Sequence, residues 1–227
     1  MKEIERIADS EGLSYRQMME NAGTAAFEVM RQNWPDAERI VIFVGKGNNG
    51  GDGFVAARLY EAAGARAAVI LCEGEPKTVD AEYNYEKIRQ LENVEIIGLE
   101  ELQIGGVRDH AGEARQEKSE TQMEGNGEAT AELIQADLIV DALYGTGFHG
   151  ELRESGRKAA ELINGSSAPV CALDLPSGMN ADTGETADGA VKADLTVVFH
   201  RKKHGHDAEN AGEYCGKIVV VPIGIDA

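Results

Sequence analysis

The chain is short of aromatic residues, of basic residues and of cysteine, and each shortage excludes something. Aromatics make up 5% of the 227 residues, whereas glycine supplies 27. That balance disfavours an all-β sandwich and suits an α/β protein with Gly-rich connecting turns. Lys and Arg total 22 against 40 Asp and Glu, a net charge of −18. A surface so acidic repels phosphate backbones and anionic bilayers, so neither nucleic acid nor a membrane is an expected partner. The three cysteines, Cys72, Cys171 and Cys215, are odd in number and form no C-x-x-C pair. They read as buried thiols in a reducing, cytoplasmic setting. The opening MKEIERIADS has no apolar segment of the kind a signal peptide carries. No run approaches the ~18 apolar residues that span a bilayer. A Walker A loop is missing too, because Gly45-Lys46 is followed by Gly47 where Ser or Thr belongs, which disfavours an NTPase. Hydrophobic residues nonetheless make up 42%, enough for a full core, and the length fits one domain over 1–227 carrying a long insertion.

What is present alternates. The first 38 residues have a helical pattern, with Met18, Met19, Ala22, Ala26, Val29 and Met30 at helical spacing until Trp34-Pro35 closes it. Strands are expected at 39–45, 67–73, 93–98, 136–145, 169–178, 193–200 and 217–225. Helices are expected at about 52–63, 76–91 and 153–164, with a short one ahead of residue 136. Strands apolar at every position are strands covered on both faces, so the pattern predicts an open, mostly parallel sheet with helices on both sides. Residues 105–130 break the rhythm: they are Gly-rich and acidic with almost nothing large and apolar, and read as a mobile surface insertion.

Open parallel sheets bind ligands at the carboxyl ends of their strands. After the first strand comes Gly45-Lys46-Gly47-Asn48-Asn49-Gly50-Gly51-Asp52-Gly53, which formally contains G-x-G-x-x-G. Such glycines let backbone N–H groups approach a pyrophosphate at a helix N-terminus, and Glu73, at the end of the second strand, is placed to bind a ribose. The same turn can also serve packing alone. Two carboxamides and a carboxylate, however, suit a ligand rich in hydroxyls and amides, or a hard cation. After the fourth strand come Asp141 and Gly145-Thr146-Gly147-Phe148-His149-Gly150-Glu151; after the fifth come Asp174, Pro176, Ser177 and Gly178. Each polar group could cap a turn; at one sheet edge they read as a site. His200, His204 and His206 lie among Arg201, Lys202 and Lys203, a basic loop suited to an anionic ligand better than to zinc. Met18 and Met19 read as core.

Six segments carry a family resemblance: Met19-Glu20-Asn21-Ala22-Gly23, the glycine loop at 45–53, Asp141 to Phe148, Leu173 to Gly178, Ala193 to Phe199 and the closing Gly216 to Ile225. In order along nearly the whole chain, they resemble the NAD(P)H-hydrate epimerases, also known as the YjeF N-terminal domain. The resemblance implies a Rossmann-like three-layer α/β/α sandwich and a homodimer. It implies interconversion of the R and S epimers at C6 of hydrated NADH and NADPH (NADHX and NADPHX), and one potassium ion per chain. Matched position by position, potassium contacts fall on Asn49, Asp141 and Ser177. Substrate contacts fall on Asn48, Asn49, Gly50, Gly51, Asp52, Gly145, Thr146, Gly147, Phe148, His149, Gly150, Glu151 and Asp174. The insertion at 105–130 is longer than the family pattern, and the dehydratase domain fused to many such proteins is expected as a separate or adjoining partner. Asp174 is the expected catalytic acid/base, burial being able to raise a strand-end carboxyl toward neutrality. The competing readings are an NAD(P)-dependent oxidoreductase and a non-catalytic nucleotide-binding or dimerisation module.

Overall fold

The computed structural model describes residues 2–102 and 136–225. The insertion expected at 105–130 and the helix expected ahead of residue 136 lie outside these residues. Seven strands form one sheet in the order β3-β2-β1-β4-β5-β6-β7: β1 Arg39–Val44, β2 Arg66–Leu71, β3 Val94–Gly98, β4 Leu138–Ala142, β5 Val170–Leu173, β6 Leu195–Phe199 and β7 Lys217–Val221. Every pairing is parallel. The helices are α1 Lys2–Ser10, α2 Tyr15–Asn33, α3 Asn48–Ala62, α4 Val79–Ile88 and α5 Glu154–Asn164, with a single turn at Ala211–Tyr214. None among the described residues is long and apolar enough to cross a membrane.

In the central strands the uninterrupted apolar runs are buried on both faces, whereas edge strand β7 leaves Val220 exposed. Ile40, Ile42 and Val44 of β1 pack with Met30, Phe54 and Tyr60 beneath α2 and α3. The alternate residues Val41 and Phe43 pack with Ala159 and Ile163 of α5 on the other side. The result is the parallel sheet with helices on both faces that the β-α alternation predicts, and the three-layer, Rossmann-like sandwich that the resemblance implies.

The elements are shorter than expected at several ends, most of all β5, which stops at Leu173 and not at 178, and two further differences bear on the site. The opening helical stretch is two helices, broken where Gly12 takes φ +107°; Ser14 then caps α2, accepting the Gln17 N–H at 3.2 Å. The glycine loop is shorter than its composition suggests, since α3 begins at Asn48 and not near residue 52. The glycines that disguise it as a loop are needed for close packing inside a helix. A side chain at Gly50 would put its Cβ 2.1 Å from the Gly45 carbonyl oxygen, and one at Gly51 would meet the Met19 side chain at 2.5 Å.

Candidate active site

Strand order reverses between β1 and β4, so the connections leaving them diverge and open a crevice at the carboxyl edge of the sheet. A cavity of about 840 Å³ fills this crevice, a volume within the range of small-molecule sites. Its walls come from the start of α3 (Asn48, Asn49, Asp52), the connection after β4 (Gly145, Thr146, Gly147, Phe148, His149, Glu151) and the ends of β5 and β6 (Asp174, Phe199, Lys203). Gly47 caps α3 with no side-chain bond to the first turn, which leaves an N-terminus suited to an anionic group.

Not every residue expected at the site faces the cavity. Gly50, Gly51 and Gly150 do not line it; the first two serve helix packing and the third, at φ +80°, turns the chain. Asp141 and Ser177 are wholly buried behind the wall. There the Ser177 N–H and hydroxyl donate to the two Asp141 oxygens at 2.7 and 2.6 Å, and Leu143 N–H donates at 3.2 Å. The Ser177 oxygen accepts the Tyr144 N–H at 2.9 Å, tying β4's connection to β5's. Burial pushes the Asp141 carboxyl up to about 6, against the pull of these donors. Met18 and Met19 are buried as expected, but they also line the cavity.

Asn49, Asp141 and Ser177 offer a carboxamide, one carboxylate and a hydroxyl, a set suited to a hard cation of low charge. Asn49 adds an independent sign. Its amide nitrogen is buried with no hydrogen-bond partner among the described residues, and a half-turn of the carboxamide would put its oxygen at that position. A side chain at Gly145 would meet this amide at 3.4 Å, so glycine there leaves Asn49 room. No group of three or more His, Cys, Asp or Glu suited to a metal occurs among the described residues, and the histidine cluster holds no such centre.

Asp174 sits just past β5 with φ +66°, in the left-handed region that Asp tolerates better than most residues. Its N–H bonds Val197 O at 2.8 Å. Its Oδ1 accepts Phe199 N–H at 3.3 Å and forms a buried ion pair with Lys203, whose ammonium also donates to Phe199 O at 3.0 Å. His206 braces the arrangement from behind: its Nδ1 accepts the Lys203 N–H at 2.9 Å, which makes Nε2 the donor to Asp174 O at 2.7 Å. Burial lowers the His206 pKa, keeping the ring in the neutral form this requires. The sequence reading invokes burial alone for Asp174; in the structure the carboxylate has an ammonium partner. Lys203 is the functional side chain that reading passed over, seen there only as one of three adjacent cations.

Asp52 has the opposite surroundings. It is buried without a salt-bridge partner among the described residues, and desolvation, then the charges of Asp174 and Glu5, push it well above the ordinary carboxylate range. Glu73 lines the cavity but is engaged, accepting the Tyr144 hydroxyl at 3.0 Å with Lys46 at 3.9 Å. Glu3, Glu5 and Arg6 of α1 complete the rim, a contribution with no motif to announce it.

Comparison with known proteins bears on the family and the fold. The chain is 40% identical over 222 residues to the bifunctional NAD(P)H-hydrate repair enzyme Nnr of Pyrobaculum aerophilum, covering 97% of this chain and 40% of that one. It thus spans less than half the length of the bifunctional relatives. It is 34% identical to the NAD(P)H-hydrate epimerase of Cenarchaeum symbiosum, covering 99% of this chain and 92% of that protein. The crystal structure of yeast ynu0 superposes with a TM-score of 0.73 at 20% identity, covering 97% of this chain and 84% of the yeast one, and supports the fold. The family described as YjeF-related protein N-terminus matches residues 15–205, and the chain belongs to it.

Proposed function

We propose that this chain is an NAD(P)H-hydrate epimerase, interconverting the R and S forms of NADHX and NADPHX at C6 of the nicotinamide ring. The observation that carries the reading is Asp174, left-handed in backbone and with its carboxylate held by Lys203 and Phe199 at the wall of the cavity. The substrate carries a hydroxyl on a carbon beside a ring nitrogen. Such a centre inverts by losing water and regaining it on the other face, or by ring opening, and both routes move a proton on or off oxygen. Asp174 is the proposed group for that transfer. Asn48, Asn49, the connection from Gly145 to Glu151 and the uncapped start of α3 are the proposed contacts for the polar and diphosphate parts of the ligand. Relatives named as NAD(P)H-hydrate epimerases at near-full coverage support the activity.

Asn49, Asp141 and Ser177 are the proposed holders of a potassium ion, whose charge when bound would offset the buried Asp141. Homodimerisation and a cytoplasmic setting belong to the same reading. So does action beside, or fused to, a NAD(P)H-hydrate dehydratase; bifunctional relatives support that partnership.

The test is chromatography of a hydrate mixture depleted in one epimer, with and without protein. Wild type restores the missing epimer without net redox change. Asp174→Asn slows exchange by roughly 10²–10⁴-fold while retaining ligand binding. Wild-type turnover in that variant would remove Asp174 from the mechanism; a wild type that leaves the mixture unchanged would remove the epimerase reading.

A further inference from the structure

We propose that proton transfer in this cavity is divided between two carboxyl groups: Asp52 gives a proton to the departing oxygen, and Asp174, positioned by Lys203, takes one from the oxygen that returns. The inference rests on the epimerase reading and extends it.

The two groups reach the cavity from different walls, Asp52 from the start of α3 and Asp174 from beyond β5. Their surroundings are opposite in kind. Lys203 and the Phe199 N–H both grip Oδ1 of Asp174, and no hydrogen bond among the described residues takes up Oδ2. The Asp52 carboxyl is buried yet has neither hydrogen bond nor ion pair among the described residues. The charged groups that act on it come from three elements. Burial opposes its ionisation most, Asp174 and Glu5 of α1 oppose it further, and Lys203 favours it. Such a group retains its proton where an ordinary carboxyl has lost it, and two carboxyls in unlike environments are how one site separates acid from base.

In one direction the Asp52 proton passes to the C6 hydroxyl oxygen. The C6–O bond breaks with its electron pair on oxygen, releasing water, while the ring-nitrogen lone pair forms a C=N bond. Water then adds to the other face: a C–O bond forms, the C=N pair returns to nitrogen, and the excess proton goes to Asp174. Asp52 ends ionised and Asp174 protonated, which is the state that runs the reverse conversion or that exchange with solvent resets. Lys203 acts through Asp174 as a positioning residue, and its own backbone is held by His206.

The experiment follows epimer exchange of an NADH-hydrate mixture from about pH 5 to pH 9, with binding of the same hydrates measured separately. In wild type the rate falls at high pH as Asp52 loses its proton. Asp52→Asn is expected to slow exchange by roughly 10²–10⁴-fold, to lose that alkaline limb and to keep hydrate binding. Lys203→Met is expected to lower kcat and shift the acid limb, with Lys203→Arg restoring much of both. An infrared carbonyl band of a neutral carboxylic acid, present at neutral pH in unliganded wild type and absent from Asp52→Asn, gives a readout independent of turnover. If wild type exchanges the epimers while Asp52→Asn does so within about threefold and on the same pH profile, the division of labour is refuted and the epimerase reading stands. Absence of the infrared band in wild type refutes it as well. A wild type inert toward the hydrates refutes the parent reading instead.

Discussion

Replacing Ser177 with alanine tests the buried junction behind the cavity wall. The hydroxyl donates to Asp141 at 2.6 Å and accepts the Tyr144 N–H at 2.9 Å, while the Ser177 N–H to Asp141 survives the substitution. Losing a hydrogen bond to a charged acceptor costs about 1.5–3 kcal/mol, and leaving a buried N–H without an acceptor costs about 1–3 kcal/mol. The two losses share one atom, so roughly 2–4 kcal/mol is the expected total at alkaline pH, or ~5–15 °C in Tm for a chain of this size. The pH dependence is the sharper check. Asp141 is raised from 3.8 to about 6 by burial, a gap corresponding to ~3 kcal/mol. A carboxyl raised in the folded state contributes stability that is fully present below its unfolded value and is lost as pH rises through its folded value. Ser177 is one of the groups pulling Asp141 down, so without it the folded value moves further up and the loss continues to higher pH. The part of the Ser177→Ala destabilisation that comes from Asp141 should therefore fade near pH 5, leaving the loss at the Tyr144 N–H, and the total should grow toward pH 8. Urea unfolding of both proteins at the two pH values, in a buffer whose only cation is bulky and organic, measures it. Equal destabilisation at both, or less than about 0.5 kcal/mol at the higher, would refute the account. Adding potassium should then raise the wild-type midpoint at pH 8 by mass action, by ~2.7 kcal/mol at a hundredfold excess over Kd. It should do little at pH 5 or in Ser177→Ala. An identical response to the organic cation would end the ion assignment.

Gly45→Ala should destabilise the protein by about 1–3 kcal/mol or more. The new Cβ would lie 2.1 Å from the Leu143 carbonyl oxygen, and its nearest neighbours are all Leu143 backbone, with no soft side chain to yield; an unchanged unfolding midpoint would show that the crevice is looser than described. Cys72, Cys171 and Cys215 are all buried and free, and burial pushes each thiol up, Cys215 to about 11. Alkylation in native buffer should therefore be far slower than in denaturant, and rapid labelling of the native protein, followed by mass spectrometry, would contradict that burial.

Fold and candidate site were legible in the sequence to different depths. Apolar runs separated by helical stretches point to a parallel sheet, because its central strands are covered on both faces; the rule weakens at the edges, where β7 is apolar after Lys217 yet leaves Val220 exposed. The sequence indicates the carboxyl edge of the sheet, since ligands gather at the carboxyl ends of such strands; the crevice itself lies where strand order reverses between β1 and β4. The motifs marked Asn49, Asp52 and Asp174 as polar groups following strands, each able to cap a turn alone but reading as a site when gathered at one sheet edge. Three things were decided only when the chain was folded. The glycine stretch is the first turn of α3, because glycine's usual preference for loops is overridden where backbone must pass within contact of Gly45 and Met19. Asp141 and Ser177 lie behind the wall and not on it, because β4 and β5 are neighbours and their connections meet through the Ser177 hydroxyl. The Asp174–Lys203 pair joins residues 29 positions apart, with no spacing rule to link them. Sequence pattern records which faces are apolar; which charged groups share a low-dielectric cavity depends on distances that only packing sets, and those distances separate Asp52 from Asp174 in chemical character.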